Sequence, residues 1–233
     1  ASIPAISISQ ESGAGVNELM ARGEVTATVS VVVEAHDSRN VIADLPGATD
    51  DGRVVVLGGH YDTVPDTQGA DDNGSGIAIL ITIAREISER EFPFTIRFIA
   101  FGSEEIGLFG SRHYVGSLSK DERDSIIAML NFDVSGSGEV VEAIGSDDLV
   151  DQVMDYADEH GLAVGKGTPL ELEGATSDHA PFSEVGIPTV FFPADDISRI
   201  NSPDDTIEFV DPELMGTAAV LGLALLDSLA KRY

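Results

Sequence analysis

The hydrophobic positions along the chain follow two patterns that alternate with each other. Short runs rich in β-branched and aromatic residues predict β-strands, and they occur at residues 25–35, 53–59, 94–101, 126–133, 139–144 and 188–193. Segments with helical periodicity predict α-helices at residues 14–22, 74–88, 107–118, 147–160 and 212–230. Strands that alternate with helices are typical of a mostly parallel sheet covered on both faces. The pattern therefore predicts an α/β fold, a three-layer αβα sandwich around a mostly parallel mixed sheet.

Composition narrows the range of partners. The 233 residues, 42% of them hydrophobic, suit one α/β domain or one domain with an appendage. They carry 13 basic and 41 acidic side chains, a formal net charge of −28. Such a charge repels phosphate backbones and anionic lipid headgroups, so we expect no nucleic-acid partner. Because no uninterrupted run of about 20 apolar residues occurs, we also expect no membrane partner.

The acidity also bears on the environment of the protein. A protein surface dominated by Asp and Glu suits high ionic strength, which screens the repulsion between its charges. We therefore expect a salt-loving source. The alternative explanation is that the acidic side chains only keep the surface well solvated. The N-terminal residues lack the basic and apolar regions of a signal peptide, as a mature, processed chain also would. We expect an extracellular or secreted protein.

Polar side chains follow three of the predicted strands and precede the helix at 74–88. They are His60 and Asp62 after residues 53–59, Glu104 and Glu105 after 94–101, Asp133 in the last position of 126–133, and Asp71 and Asp72 in a glycine-rich loop. The carboxyl ends of parallel strands form one rim, where such carboxylates would repel each other and raise their pKa values unless a cation lies among them. Since the chain contains no cysteine, an imidazole with carboxylates favours zinc.

The spacing of these residues indicates which of them can bind metal and which can have other roles. Asp62 lies two residues beyond His60 and points the same way on an extended strand, so its carboxylate can accept the second ring proton of the imidazole. Adjacent Glu104 and Glu105 cannot point the same way, so one can bind metal while the other acts as a general base. A carboxylate between two ions would complete a binuclear hydrolytic site.

Five sequence blocks resemble the zinc-dependent exopeptidases of the aminopeptidase Y and bacterial leucyl aminopeptidase type. They are His60-Tyr61-Asp62, Gly69-Ala70-Asp71-Asp72-Asn73-Gly74-Ser75-Gly76, Glu104-Glu105-Ile106-Gly107-Leu108-Phe109-Gly110-Ser111, Asn131-Phe132-Asp133 and Ser177-Asp178-His179-Ala180-Pro181-Phe182. Their order and spacing match from about residue 38 onward. The resemblance implies a metallopeptidase catalytic domain at 36–233, and residues 1–35 look like the tail of the protease-associated insert that precedes this domain in many relatives.

The same resemblance implies roles for the individual residues. His60 and Asp133 would hold one zinc ion, Glu105 the other, and Asp72 would bridge the two. Glu104 would be the catalytic base, with Asp62 behind His60. The resemblance also implies a cis peptide bond between Asp72 and Asn73.

One segment departs from the family pattern. Relatives carry a metal-binding histidine next to a tyrosine in a segment like Tyr-His-Thr-Pro-Asp-Asp-Thr, where this chain has Ile200 and Asn201. An amide oxygen is a weak neutral ligand, so we expect Asn201 to hold the second ion loosely or leave its site empty. His179 could compensate as a direct ligand, but Asp178 and His179 are better interpreted as residues that support the metal ligands or contact substrate. The remaining histidines, His36, His113 and His160, are interpreted as structural or surface residues.

These observations predict a zinc metallo-aminopeptidase, a hydrolase that removes N-terminal residues from peptides, with one or two zinc ions. Acidic groups around the site suit the free ammonium group of a peptide substrate. Two alternatives stay open. One is a catalytically impaired peptidase-like binding module, which the loss of a histidine at Asn201 supports. The other is a mononuclear relative such as a glutaminyl cyclase.

Overall fold

The computed structural model describes residues 8–28, 36–49, 52–167 and 176–233. By its internal contacts the chain divides into two units, Ala1–Asp37 and Ser38–Tyr233. In the first unit, helix α1 spans Gln10–Met20 and begins at Ser9, whose hydroxyl accepts the N–H of Ser12 at 3.1 Å. The helix thus begins four residues before the predicted start. That residues 1–35 are the tail of a protease-associated insert stays a prediction.

The predicted strand at 25–35 is not supported where it can be examined. Residues 24–28 have no regular structure, and residues 29–35 lie outside the described residues.

The second unit is built on a mixed sheet of seven strands in the order β1-β3-β2-β4-β7-β5-β6. The strands are β1 Val41–Leu45, β2 Val54–His60, β3 Thr95–Phe101, β4 Ile126–Asn131, β5 Val141–Gly145, β6 Val164–Lys166 and β7 Thr189–Phe191. Strands β3, β2, β4 and β7 run parallel, whereas β1 pairs antiparallel with β3 and β5 pairs antiparallel with β7. The predicted mixed, mostly parallel sheet is confirmed, and the sequence pattern had assigned no element to β1.

Helices cover both faces of this sheet. They are α2 Gly76–Ile87, α3 Phe109–Ser117, α4 Lys120–Ser125, α5 Asp147–His160, α6 Ala180–Glu184 and α7 Pro212–Arg232. Because side chains alternate along a strand, Val55 and Leu57 of β2 pack in a core cluster with α2, α5 and α7, whereas Val56 packs in a second cluster with α3 and α6. The three-layer αβα arrangement is thereby confirmed.

The length and composition of helix α7 fit two kinds of helix, a membrane span and the core helix of a folded domain. Among the described residues it is the one helix long and apolar enough, with a mean hydropathy of 1.5, to cross a membrane by length and composition alone. In the structure, its residues Leu214, Leu221, Leu225 and Leu229 are buried in the core cluster that also contains α2 and α5. Such packing is also what the core helix of an α/β domain requires.

Candidate metal centre

The centre of the site is the imidazole of His60, the last residue of β2. The side chain is 1% exposed, and its Nε2 atom lies 3.1 Å from Oδ1 of Asp133 and 3.1 Å from Oδ1 of Asp72. Glu105 joins this group, because ligand atoms of His60, Asp72 and Glu105 all lie within 4.8 Å of one another. One imidazole and three carboxylates from four separate segments therefore meet at the carboxyl ends of β2, β3 and β4.

Register explains why these segments meet. His60 lies opposite Phe101 of β3, and Gly58 lies opposite Asn131 of β4. The loops that carry the glutamates and Asp133 thus leave the sheet at the same edge as His60, as expected for parallel strands.

The second ring nitrogen of His60 has a different partner from the predicted one. Nδ1 lies 2.9 Å from the main-chain oxygen of Asp62 but 3.8 Å from its carboxylate, which is too long for a hydrogen bond. The Asp62 carboxylate instead accepts the main-chain N–H groups of Glu104 at 3.1 Å and Glu105 at 3.4 Å. The predicted hydrogen bond between the two side chains is therefore absent, because the extended strand that would align them ends at His60. Asp62 still touches the imidazole, through its carbonyl group, and its carboxylate holds the glutamate loop.

The electrostatics of the site are those of crowded acids. Burial first, and then the charges of Asp133, Asp178 and Glu105, together raise the pKa of Glu104 to about 9 against the opposing effect of His60. Burial, with Asp72 next in importance, raises the pKa of Glu105 to about 7. Repulsion of this kind is what the sequence predicted for a rim of carboxylates without a cation.

The same carboxylates also change the pKa of the His60 imidazole. Burial alone would lower the pKa of His60, but the neighbouring Asp133 and Asp72 carboxylates outweigh burial and raise the pKa. A divalent cation would compete with this proton, because a histidine ligand binds metal in its neutral form.

The loop that carries Asp72, Ala70–Ser75, lies immediately before α2 and is kinked, with non-helical backbone angles at Asp72 and Asn73. The peptide bond between Asp72 and Asn73 is cis, as the resemblance implied. The side chain of Asn73 donates to the carbonyl oxygen of Phe132 at 3.0 Å and accepts the N–H of Gly76 at 2.9 Å. A Cβ atom at Gly76 would lie 2.1 Å from that same carbonyl oxygen, so only glycine lets the loop approach the end of β4 this closely.

A buried hydrogen-bond chain orients Asp133. The amide of Asn131 donates to the hydroxyl of Ser177 at 2.8 Å, and that hydroxyl donates to Oδ2 of Asp133 at 2.7 Å. With Oδ2 engaged in this way, Oδ1 faces His60. Sequence reasoning assigned no role to Ser177, although it directly precedes Asp178 in a matched block.

Asp178 and His179 are both buried beside the carboxylates. Burial raises the pKa of Asp178 to about 7, while the hydroxyl of Ser111 and the imidazole of His60 lower it. The ring of His179 stacks on Phe191 at 5.0 Å between centroids, and burial lowers the pKa of His179 to about 4. His179 lies outside the described group of His60, Asp72 and Glu105 that lies close enough to hold an ion.

Asn201 occupies a different environment from the buried ligands. It is exposed and has a left-handed backbone with φ 58°, a conformation that asparagine tolerates better than most residues. Its neighbour Ile200 is half-buried against Val134, Ile144 and Phe191. The backbone thus offers a local reason for asparagine here, and a metal contact by Asn201 stays a prediction. His36, His113 and His160 are exposed, as expected.

The fold is that of an α/β protein whose mixed sheet gathers an imidazole and several carboxylates at its strand ends, where they could hold a divalent cation. The donor set fits such an ion, because its buried acids have raised pKa values that a cation would relieve. The chain belongs to peptidase family M28, whose family model matches residues 40–226.

Individual relatives agree with this assignment. Aminopeptidase YwaD of Bacillus subtilis (strain 168) is 30% identical over 241 residues, covering 99% of this chain and 52% of that protein. The structure of BSAP, a zinc aminopeptidase from Bacillus subtilis, is 29% identical with a TM-score of 0.75, covering 82% of this chain and 49% of that one. An aminopeptidase from Aneurinibacillus sp. strain AM-1 is 29% identical with a TM-score of 0.77, covering 93% and 55%. This chain spans about half the length of these relatives.

Proposed function

We propose that this chain carries the catalytic domain of a zinc-dependent aminopeptidase that hydrolyses N-terminal residues from peptides. The observation that carries the proposal is the convergence of His60, Asp72, Asp133 and Glu105 within a buried rim. Membership in a peptidase family and the zinc aminopeptidase among the similar structures support the same conclusion.

The contacts of His60 suggest how the ligands are shared. His60 and Asp133 would hold one ion and Glu105 the other, with Asp72 between them, because Asp72 is near both His60 and Glu105. The exposed Asn201 would contribute a weak ligand at most, so the proposed site holds one ion firmly and a second loosely. When bound, zinc would polarise the scissile carbonyl and lower the pKa of a water molecule, so that the water can lose a proton and attack the carbonyl carbon.

Glu104 is the proposed general base. Its carboxylate would take a proton from the attacking water as the new C–O bond forms, and would deliver that proton to the leaving amine nitrogen as the C–N bond breaks. This requires an ionised Glu104, whose pKa near 9 without metal would fall when a cation lies close by. The Asp62 carboxylate holds the Glu104 main chain through the N–H at 3.1 Å.

The carboxylates around the site also suggest which end of a peptide substrate binds there. In addition to burial, the charge of Asp178 raises the pKa of Glu104, and the charge of Asp62 raises the pKa of Asp178, so these three acids lie near the same space. Carboxylates of this kind favour a substrate with a free ammonium group, which an aminopeptidase substrate carries at its N-terminus.

The test combines metal analysis with kinetics. Zinc content is measured by mass spectrometry, and hydrolysis of an aminoacyl nitroanilide is followed in high salt before and after chelation. Glu104→Gln should lower kcat by about 10²- to 10⁴-fold while zinc stays bound, whereas the exposed control Glu89→Gln should change neither. Failure to bind any divalent cation would contradict the proposal. Zinc binding without hydrolysis would favour a binding module, and release of ammonia from N-terminal glutamine would favour a cyclase.

A further inference from the structure

Another buried aspartate, Asp205, lies in the segment that follows Asn201 and contacts the loop that carries Asp72. Asp205 is 2% exposed, and each of its two carboxylate oxygens accepts one main-chain N–H group. Oδ1 accepts from Asp71 at 2.8 Å, and Oδ2 accepts from Asp72 at 3.1 Å. The carboxylate therefore binds two consecutive residues of the loop Ala70–Ser75, one of which is the proposed bridging ligand.

Asp71 extends this contact to the loop after β4. Its Oδ1 atom accepts the N–H of Gly136 at 2.7 Å, three residues beyond Asp133. The carbonyl of Gly136 in turn accepts the N–H of Asp211 at 2.7 Å. The loops that carry Asp72, Asp133 and Asp205 are thus joined to one another by hydrogen bonds that do not involve the ligand atoms themselves.

The burial of three neighbouring carboxylates costs free energy of folding, which suggests that the cluster has a function. Asp71, Asp72 and Asp205 are all buried, and burying carboxylates close together is unfavourable. Asp205 itself adds to the repulsion felt by Asp71 and Asp72. A neutral residue that capped the turn would avoid this repulsion, but it could not offer two equivalent acceptors to adjacent N–H groups.

We propose that Asp205 is a positioning residue, which holds the Asp72 loop so that the Asp72 carboxylate reaches His60 and Glu105. It is through Asp205, rather than through Asn201, that residues 201–206 support the metal centre in this chain. The inference rests on the proposed function, since it assumes that Asp72 binds metal. It also explains how a segment without the family histidine still serves the site.

Asp205→Asn tests the inference with little change in volume. The amide keeps one acceptor but turns an N–H donor toward a main-chain N–H, so one of the two contacts is lost. We expect zinc affinity to fall by about 10- to 100-fold, the usual effect of removing a group that orients a ligand. The visible absorption spectrum of the cobalt-substituted protein should also change, because the position of Asp72 changes. The neighbouring Asp204→Asn, which is exposed and removes the same charge, should leave both unchanged.

The measurements distinguish a failure of the proposed function from a failure of the positioning role of Asp205. If the wild-type protein binds neither zinc nor cobalt, the proposed function fails. If the wild type binds both and Asp205→Asn matches it in affinity and cobalt spectrum, the positioning role alone is overturned. A variant that loses only thermal stability, with an unchanged spectrum, likewise overturns it.

A second measurement needs no variant. In the metal-free wild-type protein, the amide hydrogens of Asp71 and Asp72 should exchange slowly with solvent, because Asp205 holds them before any ion arrives. Rapid exchange at both positions would overturn the proposal even if Asp205→Asn does not fold.

Discussion

Removing the hydroxyl of Ser177 is expected to weaken both the fold and the metal centre. The hydroxyl is fully enclosed between Asn131 and Asp133, which it contacts at 2.8 and 2.7 Å. In Ser177→Ala, a hydrogen bond to a carboxylate is lost, which contributes about 1.5 to 3 kcal/mol, and the buried Asn131 amide loses its acceptor, which costs about 1 to 3 kcal/mol. These effects overlap because they share one hydroxyl, so we expect a loss of about 3 kcal/mol in the free energy of unfolding.

Urea unfolding of the metal-free protein measures this loss directly, and thermal unfolding should show a decrease in Tm of about 6 to 12 °C for a domain of this size. Ser183→Ala is the control, because Ser183 is exposed on α6, and it should stay within about 0.5 kcal/mol of the wild type. Zinc should also bind more weakly to Ser177→Ala, since Asp133 is no longer held facing His60. A loss of stability below about 1 kcal/mol would show that the hydrogen-bond chain through Ser177 does not form as described.

Further predictions concern salt, pH and single substitutions. The Tm should rise from low to multimolar salt, and equal or higher stability without salt would contradict the halophilic interpretation of the −28 net charge. The metal-free protein should lose stability as pH rises from about 5 to 9, because acids with raised pKa values hold protons in the folded state that the unfolded state has already released. Glu105 and Asp178 contribute to this loss up to about pH 7, and Glu104 continues it up to about pH 9. Zinc should flatten this slope, and a Tm independent of pH without metal would disagree. Asn201→His should raise the zinc content from one toward two ions per chain, and an unchanged content would show that the segment is wrongly aligned. Gly76→Ala should destabilise the protein by about 3 kcal/mol or more, since the added methyl group would lie 2.1 Å from a main-chain oxygen; wild-type stability in urea would mean that the loop can relax.

The sequence was most informative where local pattern and chain order act together. The apolar run that ends at His60 predicted a buried parallel strand, and the placement of acids after neighbouring strands predicted that they meet. Both follow from periodicity and from the geometry of parallel sheets. The blocks around Asp72 and Asp133 then allowed individual roles to be suggested, down to the cis peptide bond.

What the sequence did not reveal depends on contacts between distant residues. Asp205 and Ser177 form hydrogen bonds to the proposed metal ligands from 133 and 44 positions away in the sequence, and no local pattern distinguishes them from ordinary turn residues. The hydrogen bond predicted from the Asp62 carboxylate to His60 is absent for a related reason, because the direction of this side chain depends on where β2 ends. The antiparallel pairing of β1 with β3 also follows from tertiary packing rather than from the composition of the strand.

The burial of α7 has a consequence for the order of events during biosynthesis. Every proposed ligand precedes residue 212, whereas the leucines of α7 complete the core against α2 and α5. Translation therefore adds every proposed ligand to the chain before it adds the helix that completes the core. We expect the ion to be acquired only after translation has passed α7, when the sheet can hold its carboxyl ends in register.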